Sequence, residues 1–155
     1  MSITCREDLL KKREEAQSEI KSYTCRILVC SGTGCMASGA QKIYDQMKLL
    51  CEGLDGVQKD IPHLGVVKTG CQGLCELGPL MRIEPYNYQY VKVQPEDCRE
   101  IVEKTVMEGL PVERLFYTHD NQRYQHPEDI PFLKLQTRIV LENCGKIDAE
   151  SIDEY

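Results

Sequence analysis

The chain has 155 residues, of which 41% are hydrophobic and 28% charged, and this composition predicts a globular protein of one domain with appendages. The formal net charge of −6 argues against nucleic acid as a partner, and no apolar run approaches the length of a membrane span. The N-terminus has no apolar signal region, and nine cysteines are an odd number for a secreted disulfide scaffold. We therefore expect a cytoplasmic location, where thiols stay reduced.

The first predicted element is a helix that begins after Thr4 and runs to about Lys21. Thr4 and Glu7 have the spacing of a capping box, in which the hydroxyl accepts from a first-turn N–H and the carboxylate reaches back. The apolar stripe of this helix is thin, so we expect it to be mostly solvated and docked along one edge. A recognition helix for a partner is the less favoured alternative. Residues 1–25 are assigned to this N-terminal helix.

A strand, a helix and a second strand follow. Arg26–Val29 and Gly65–Lys68 are rich in residues that favour strands. Between them, Ser38 and Gln41 have the spacing of a second capping box. The helix after it carries apolar residues at helical spacing, namely Ile43, Met47, Leu50 and Leu54. Because a helix connects the two strands, we expect them to be parallel, with a right-handed crossover.

A hairpin and another helix complete the predicted domain, which covers residues 26–110. Apolar and polar residues alternate over Met81–Pro85, and a second apolar run follows a turn at residues 86–88. The tyrosines of this region indicate a stable hairpin more readily than a docking surface. Pro95 is predicted at the first position of the next helix. This order of elements predicts an α/β (α+β) fold, with a mixed four-stranded sheet and flanking helices.

Residues 111–131 are polar and carry prolines without clear periodicity, so we predict a linker laid over a surface. Beyond it, Phe132–Leu135 and Arg138–Leu141 are apolar again. Asp148 has the character of an N-cap, and Ala149–Tyr155 is predicted to open a helix. The chain is expected to stop inside that helix, with the packing partner of this C-terminal extension outside the sequence.

Four cysteines lie in two short loops that directly follow the two predicted strands: Cys30 and Cys35, with four residues between them, and Cys71 and Cys75, with three. Both loops are expected to leave the same edge of the sheet, so their thiols should converge. Without secretory features, convergent thiols indicate a metal before a disulfide. Zinc sites use tighter hooks with two intervening residues. The wider spacing favours a two-iron cluster, around which longer loops can wrap.

The residues around these cysteines suit an anionic cluster. Glycines permit close backbone approach, so that amide N–H groups can point at sulfur, and the two loops contain Gly32, Gly34, Gly70 and Gly73. No Asp or Glu occurs from Ser31 to Gln41 or from His63 to Cys75, although the whole chain is acidic. Carboxylates at those positions would repel a negatively charged cluster.

The segments Val29–Ala40 and Gly70–Pro79 carry a specific resemblance. They resemble the thioredoxin-like [2Fe-2S] ferredoxins, a family that includes the small iron–sulfur subunit of respiratory NADH dehydrogenase. The resemblance covers about Arg26 to Leu110 and implies a thioredoxin-like ferredoxin fold. It also implies that one [2Fe-2S] cluster is the cofactor and that its ligands are Cys30, Cys35, Cys71 and Cys75.

A second resemblance lies in residues 136–155, which are similar to the opening of the flavin-carrying, NADH-oxidising subunit of the same dehydrogenase group. A ferredoxin domain ahead of such a subunit is the layout of the β-subunit of NAD(P)-linked, electron-bifurcating iron-only hydrogenases and related formate dehydrogenases. The resemblance implies that residues 132–155 begin a truncated flavin-subunit-like domain. The glycine-rich flavin and nucleotide loop of that family and its four-iron motif are absent from the sequence, so FMN and NAD(P) are expected only downstream. Other redox subunits are the implied partners.

The expected function is single-electron transfer through this cluster within an NAD(P)H-linked oxidoreductase complex. The alternative is a redox-inert interaction module stabilised by zinc, and four purely structural cysteines are a third reading. Structural roles are expected for Cys5, Cys25, Cys51, Cys98 and Cys144, and Cys25 also remains a less favoured alternative ligand. A Rieske-type centre would need two of His63, His119 and His126 to replace cysteines, which four well-spaced cysteines make unnecessary.

Overall fold

The computed structural model describes residues 3–54 and 63–155. A four-stranded sheet with the strand order β2-β1-β3-β4 forms its centre. Strands β1 (Cys25–Cys30) and β2 (Leu64–Thr69) are parallel, whereas β3 (Met81–Glu84) and β4 (Tyr88–Tyr90) add on in antiparallel fashion. The predicted mixed sheet, with its parallel pair and its hairpin, is confirmed. The central strand β1 is buried along its whole length.

Helices flank this sheet, as predicted. Helix α1 covers Arg6–Ser22, the short helix α2 covers Thr33–Ala37, and α3 covers Ala40–Glu52. Helix α4 covers Asp97–Ile101 and continues as a π-helical stretch over Val102–Met107. Helix α3 packs on β1, β2 and α4, so that the main apolar core lies between these helices and one face of the sheet.

Among residues 3–54 and 63–155, no helix is both long enough and apolar enough to cross a bilayer.

The parallel pairing fixes where the two cysteine loops begin. Cys25 of β1 lies opposite Leu64 of β2, and the register continues to Cys30 opposite Thr69. Both strands therefore end at the same edge of the sheet. The backbone N–H of Ser31 also donates to the carbonyl of Thr69 at 2.8 Å, which extends the pairing one step beyond β1.

The predicted cap of α1 is wrong by one residue. The helix begins at Arg6 with Cys5 at the cap, and the acid three residues later is Asp8 rather than Glu7. The Asp8 carboxylate accepts from the backbone N–H groups of Thr4 at 2.9 Å and Cys5 at 3.2 Å. Ala16 is the only buried residue among those described in α1, which agrees with a mostly solvated helix.

The second predicted capping box and the predicted start of α4 are also wrong. Residues 33–37 form the extra helix α2, so α3 is entered through Gly39 at a φ of 96° without a side-chain cap. Gln41 donates instead to the Asp45 carboxylate at 2.8 Å. Helix α4 begins at Asp97 rather than Pro95. The Asp97 carboxylate accepts from the backbone N–H of Gln94 at 2.8 Å, which is the reciprocal bond of a capping box just ahead of this helix.

The segment predicted as an irregular linker contains regular structure. A second hairpin is formed by β5 (Tyr117–His119) and β6 (Gln122–Tyr124). Four apolar side chains of the segment are buried against the main core: Val112, Leu115, Phe116 and Ile130. Their irregular spacing hides them from a search for periodicity, because a strand or helix pattern needs repeated intervals.

The C-terminal extension departs furthest from its prediction. A short helix α5 covers Pro131–Lys134, but the helix predicted over residues 149–155 is absent. Asp148 pairs instead with Thr69, and the N–H of Ala149 donates to the Lys68 carbonyl at 2.8 Å. Strand β2 is an edge strand with unpaired backbone groups, so a passing chain can bond to it in place of forming a helix.

We predict that the buried hydroxyl of Tyr90 supports the junction between the sheet and the segment after α4. It accepts from the N–H of Val112 at 2.9 Å and contacts the Thr105 hydroxyl at 2.7 Å. Tyr90→Phe would leave that buried N–H unsatisfied, so urea denaturation should show a loss of about 1–3 kcal/mol in the free energy of unfolding. Tyr88→Phe, on a half-buried ring of the same hairpin, is the control. An equal effect of the two substitutions would contradict this role.

Candidate metal centre

The structure brings all four predicted ligand cysteines together at one edge of the sheet. Cys30 ends β1 and Cys35 lies on α2, and both side chains are buried. Cys71 follows β2 and is half-buried, while Cys75 opens a short 3-10 turn and is exposed. The sulfurs of Cys71 and Cys75 are 3.7 Å apart. Cys30 interacts with the thiols of both Cys35 and Cys71, which links the two loops.

Hydrogen bonds and mutual repulsion set the ionisation of these thiols. A hydrogen bond from Cys35 lowers the pKa of Cys30, and backbone N–H groups of Gln72 and Gly32 act in the same direction against the effect of burial. The pKa of Cys35 is raised, first by its hydrogen bond to Cys30 and then by burial. The pKa of Cys75 is raised in the same way by Cys71. Two amide donors thus stabilise negative charge on the Cys30 sulfur, which is the state of a metal-bound thiolate.

Glycines allow the two loops to approach this closely. A Cβ atom on Gly32 would lie 3.1 Å from the Cβ of Cys71, and one on Gly78 would lie 2.9 Å from the sulfur of Cys35. Such distances are too short for ordinary packing. The loops therefore form a cradle for the sulfurs that larger residues at these positions would fill.

The residues present fit a two-iron cluster. Within residues 3–54 and 63–155, no group of three or more His, Cys, Asp or Glu side chains is placed as a single metal ion would require. A [2Fe-2S] cluster has a different demand, because its four thiolates are shared between two irons. The pair Cys71 and Cys75 and the hydrogen-bonded pair Cys30 and Cys35 offer four sulfurs in two groups.

The remaining cysteines are distributed through the fold. Cys25 begins β1, at the end of the strand opposite Cys30, so the structure does not bring this alternative ligand to the loops. Burial raises the pKa of both Cys25 and Cys98 to about 12, as expected for thiols packed in an apolar core. Cys51 is buried as well, and Cys5 is exposed at the start of α1.

The contacts described for the three histidines are with residues other than the four cysteines. His63 stacks on Tyr23 with ring centroids 4.4 Å apart. The Nδ1 atom of His126 lies 3.1 Å from the backbone carbonyl oxygen of Asn87, to which it can donate, and His119 lies 3.3 Å from the carboxylate of Asp120. A Rieske-type arrangement finds no support in this geometry.

Three residues that lie near the loops were not predicted from the sequence to contribute to the site. Gln72 and Gln89 are buried polar residues, and Arg138 reaches the second loop from the C-terminal extension. Cys144, expected to be structural, packs against Gly70, so that a Cβ there would lie 3.2 Å from its sulfur. Only the position of Gln72 between two ligand candidates could have drawn attention to it, since the others are distant in sequence.

Comparison with known proteins gives a consistent result. The family model described as thioredoxin-like [2Fe-2S] ferredoxin matches residues 18–106. A [2Fe-2S] ferredoxin from Aquifex aeolicus (strain VF5) is 46% identical over 50 residues, which is 32% of this chain and 45% of that protein. A [2Fe-2S] ferredoxin from Clostridium pasteurianum is 30% identical over 95 residues, which is 57% of this chain and 91% of that protein.

A solved structure agrees with these sequence matches. The thioredoxin-like [2Fe-2S] ferredoxin from Aquifex aeolicus superposes with a TM-score of 0.52 at 25% identity, covering 64% of this chain and 94% of that one. The fold and the thiol-lined site define an iron–sulfur electron-transfer domain. The chain belongs to the thioredoxin-like [2Fe-2S] ferredoxin family, and membership implies a [2Fe-2S] cluster and ferredoxin-type electron transfer.

We predict that Gly78→Ala lowers the amount of cluster that the protein holds. The added Cβ would lie 2.9 Å from the Cys35 sulfur, so this side chain must move. Iron and acid-labile sulfide per protein should fall, and visible absorption should fall with them. Gly34→Ala is the matched control, because its Cβ would meet the Cys75 side chain only at the ordinary distance of 3.4 Å. Equal iron content in both variants would contradict the importance of the cradle.

Proposed function

We propose that Cys30, Cys35, Cys71 and Cys75 hold one [2Fe-2S] cluster, through which this chain passes single electrons between neighbouring redox centres. The observation that carries the proposal is the convergence of four thiols, and of no other metal-binding side chains in the contacts described, at the end of a parallel strand pair. When bound, the cluster supplies one-electron redox chemistry. The protein supplies sulfur ligands, amide dipoles and burial.

The four ligand cysteines differ in burial, and this difference indicates the side of the domain on which electrons would pass to or from a partner. Cys30 and Cys35 are 0% and 1% exposed, whereas Cys71 is half-buried and Cys75 is exposed. A partner redox centre would approach most closely on the side of Cys71 and Cys75. The ligand loops contain no Asp or Glu and so add no fixed negative charge themselves, and the first acid beyond them is the exposed Glu76.

We further propose that the domain works in an NAD(P)H-linked oxidoreductase complex, of the kind found in electron-bifurcating hydrogenases and related formate dehydrogenases. The support is the resemblance of residues 136–155 to the opening of a flavin-carrying subunit. A flavin can split a hydride into single electrons, which a cluster can then carry. The same segment contacts the second ligand loop, where Arg138 donates to the Gln72 carbonyl at 2.7 Å. Other redox subunits would be its partners, in the cytoplasm.

The alternative function is a redox-inert interaction module stabilised by zinc, since four thiolates also suit that ion. Visible absorption and metal analysis of the purified protein separate the two. A brown protein with iron and sulfide supports electron transfer. A colourless protein with stoichiometric zinc supports the alternative.

We predict that Cys71→Ser, like serine at each of the other three ligand positions, removes or strongly perturbs the cluster, because a serine oxygen is a poorer partner for iron than a thiolate. Electron paramagnetic resonance after dithionite reduction measures this effect. Cys98→Ser and Cys51→Ser are controls within the buried core, and they should keep the signal while lowering stability. An unchanged signal in Cys71→Ser would overturn the ligand assignment.

We also predict that the purified chain is reduced by dithionite but not by NADH or NADPH. A hydride carries two electrons, and a two-iron cluster of this type takes up one at a time. Anaerobic mixing with each reductant, followed by visible bleaching, tests the prediction. Adding a flavoprotein that oxidises NADH should permit bleaching. Rapid bleaching by NADH alone would mean that these 155 residues oxidise the nucleotide themselves.

A further inference from the structure

Arg138 connects the C-terminal extension to the second ligand loop. Its guanidinium Nη2 donates to the backbone carbonyl of Gln72 at 2.7 Å. Gln72 directly follows Cys71, whereas Arg138 lies 66 residues further along the chain and beyond residues 18–106, which the family model matches. A residue outside the ferredoxin domain thus reaches a peptide group of its ligand loop.

Gln72 is held from several sides. Its side-chain amide donates to the carbonyl of Leu28 on β1 at 3.2 Å, and its side-chain oxygen accepts from Gln89 on β4 at 2.9 Å. Its backbone N–H is directed at the sulfur of Cys30. Gln72 is 5% exposed, so the loss of one of these bonds cannot be made up freely by water. With the bond from Arg138 to its carbonyl, Gln72 is held through its side chain, its backbone N–H and its backbone C=O.

The guanidinium also brings positive charge to the loop. The neighbouring Gly73 has a φ of 93°, and a side chain there would collide with Nη2 of Arg138. Arg138 lines a cleft of about 440 Å³, together with Gln72, Arg82, Gln89, Lys146 and the acids Glu128 and Glu142. Glu128 is engaged by the side-chain amide of Asn87 at 2.8 Å. Arg138 is the cation of this cleft that bonds the ligand loop itself.

We propose that Arg138 is a positioning residue that holds the second ligand loop and raises the reduction potential of the cluster. The inference rests on the proposed function, because it needs a cluster at the four cysteines. Reduction adds one electron to a cluster that is already negative, and a nearby cation favours the more negative state. The C-terminal extension would then tune the electron carrier to which it is joined.

Two substitutions separate charge from hydrogen bonding. Arg138→Gln keeps a donor but removes the charge, so the midpoint potential of the cluster should fall. Arg138→Lys keeps the charge and should restore a potential close to that of the wild type. The control is Lys12→Gln, which also removes a cation that contacts the extension, since Lys12 lies 3.4 Å from Asp153 in the groove beside α1. This control should leave the potential unchanged.

The experiment first measures iron, sulfide and visible absorption in the full chain and in each variant. A wild-type protein without iron would overturn the proposed function, independently of Arg138. With loaded protein, anaerobic redox titration gives the midpoint potentials. The difference between wild type and Arg138→Gln should shrink as salt is added, because the cleft is open and mobile ions screen the charge. Equal potentials at low salt would overturn the inference.

A second readout covers the case in which Arg138→Gln fails to hold the cluster. Hydrogen exchange of the backbone amides of residues 71–75 then compares the variants in their cluster-free form. Faster exchange in Arg138→Ala than in Lys12→Ala, two further variants without any side-chain donor, supports the positioning role, because only Arg138→Ala removes a bond to this loop. Equal exchange in the two variants would overturn it.

Discussion

The parallel pairing of β1 and β2 is the constraint on which the site depends. Parallel strands end at the same edge, and the register that aligns Cys30 with Thr69 brings the loop after each strand to the same place. An antiparallel pair would send the two cysteine loops to opposite edges of the sheet. The crossover through α3 enforces the parallel direction, since two such strands cannot be joined by a tight turn. Fold and metal-binding chemistry are therefore coupled through one pair of strands.

The opposite end of β1 shows how the C-terminal extension is attached to this sheet. Arg26 is 4% exposed, and its guanidinium lies 2.8 Å from the Glu154 carboxylate and 3.6 Å from that of Glu84. A buried guanidinium needs such partners, because an unpaired charge is costly in a dry environment. Together with the bond from Ala149 to Lys68 and that from Arg138 to Gln72, this ion pair fixes the extension at both ends of the strand that carries Cys30.

The sequence predicts the centre of the molecule well because its signals there are local and repeated. The two β-favouring runs, the helical spacing of Ile43 and Met47, and the hairpin each depend on neighbours in the chain. The convergence of the four cysteines follows from strand direction alone. The ends of helices were predicted less well, because a cap depends on one bond, as the choice of Asp8 over Glu7 illustrates.

The regions that could not be predicted depend on long-range contacts. The hairpin after α4 is stabilised by burial of Phe116 and Ile130 against a core built from earlier residues, and no local pattern carries that information. The turn-rich path of residues 148–155 depends on bonding to an edge strand more than 70 residues earlier. The contact between Arg138 and Gln72 has the same origin. Such contacts are decided by which surfaces remain open once the sheet has formed.

We propose that the four thiols at this edge ligate two irons and no other metal. X-ray absorption spectroscopy at the iron edge of the as-purified protein tests it most directly. We predict a first shell of sulfur only and a single iron neighbour for each iron, as in a cluster shared by four thiolates and two bridging sulfides. Nitrogen or oxygen in the first shell, a larger number of iron neighbours, or a protein that contains zinc in place of iron would contradict it.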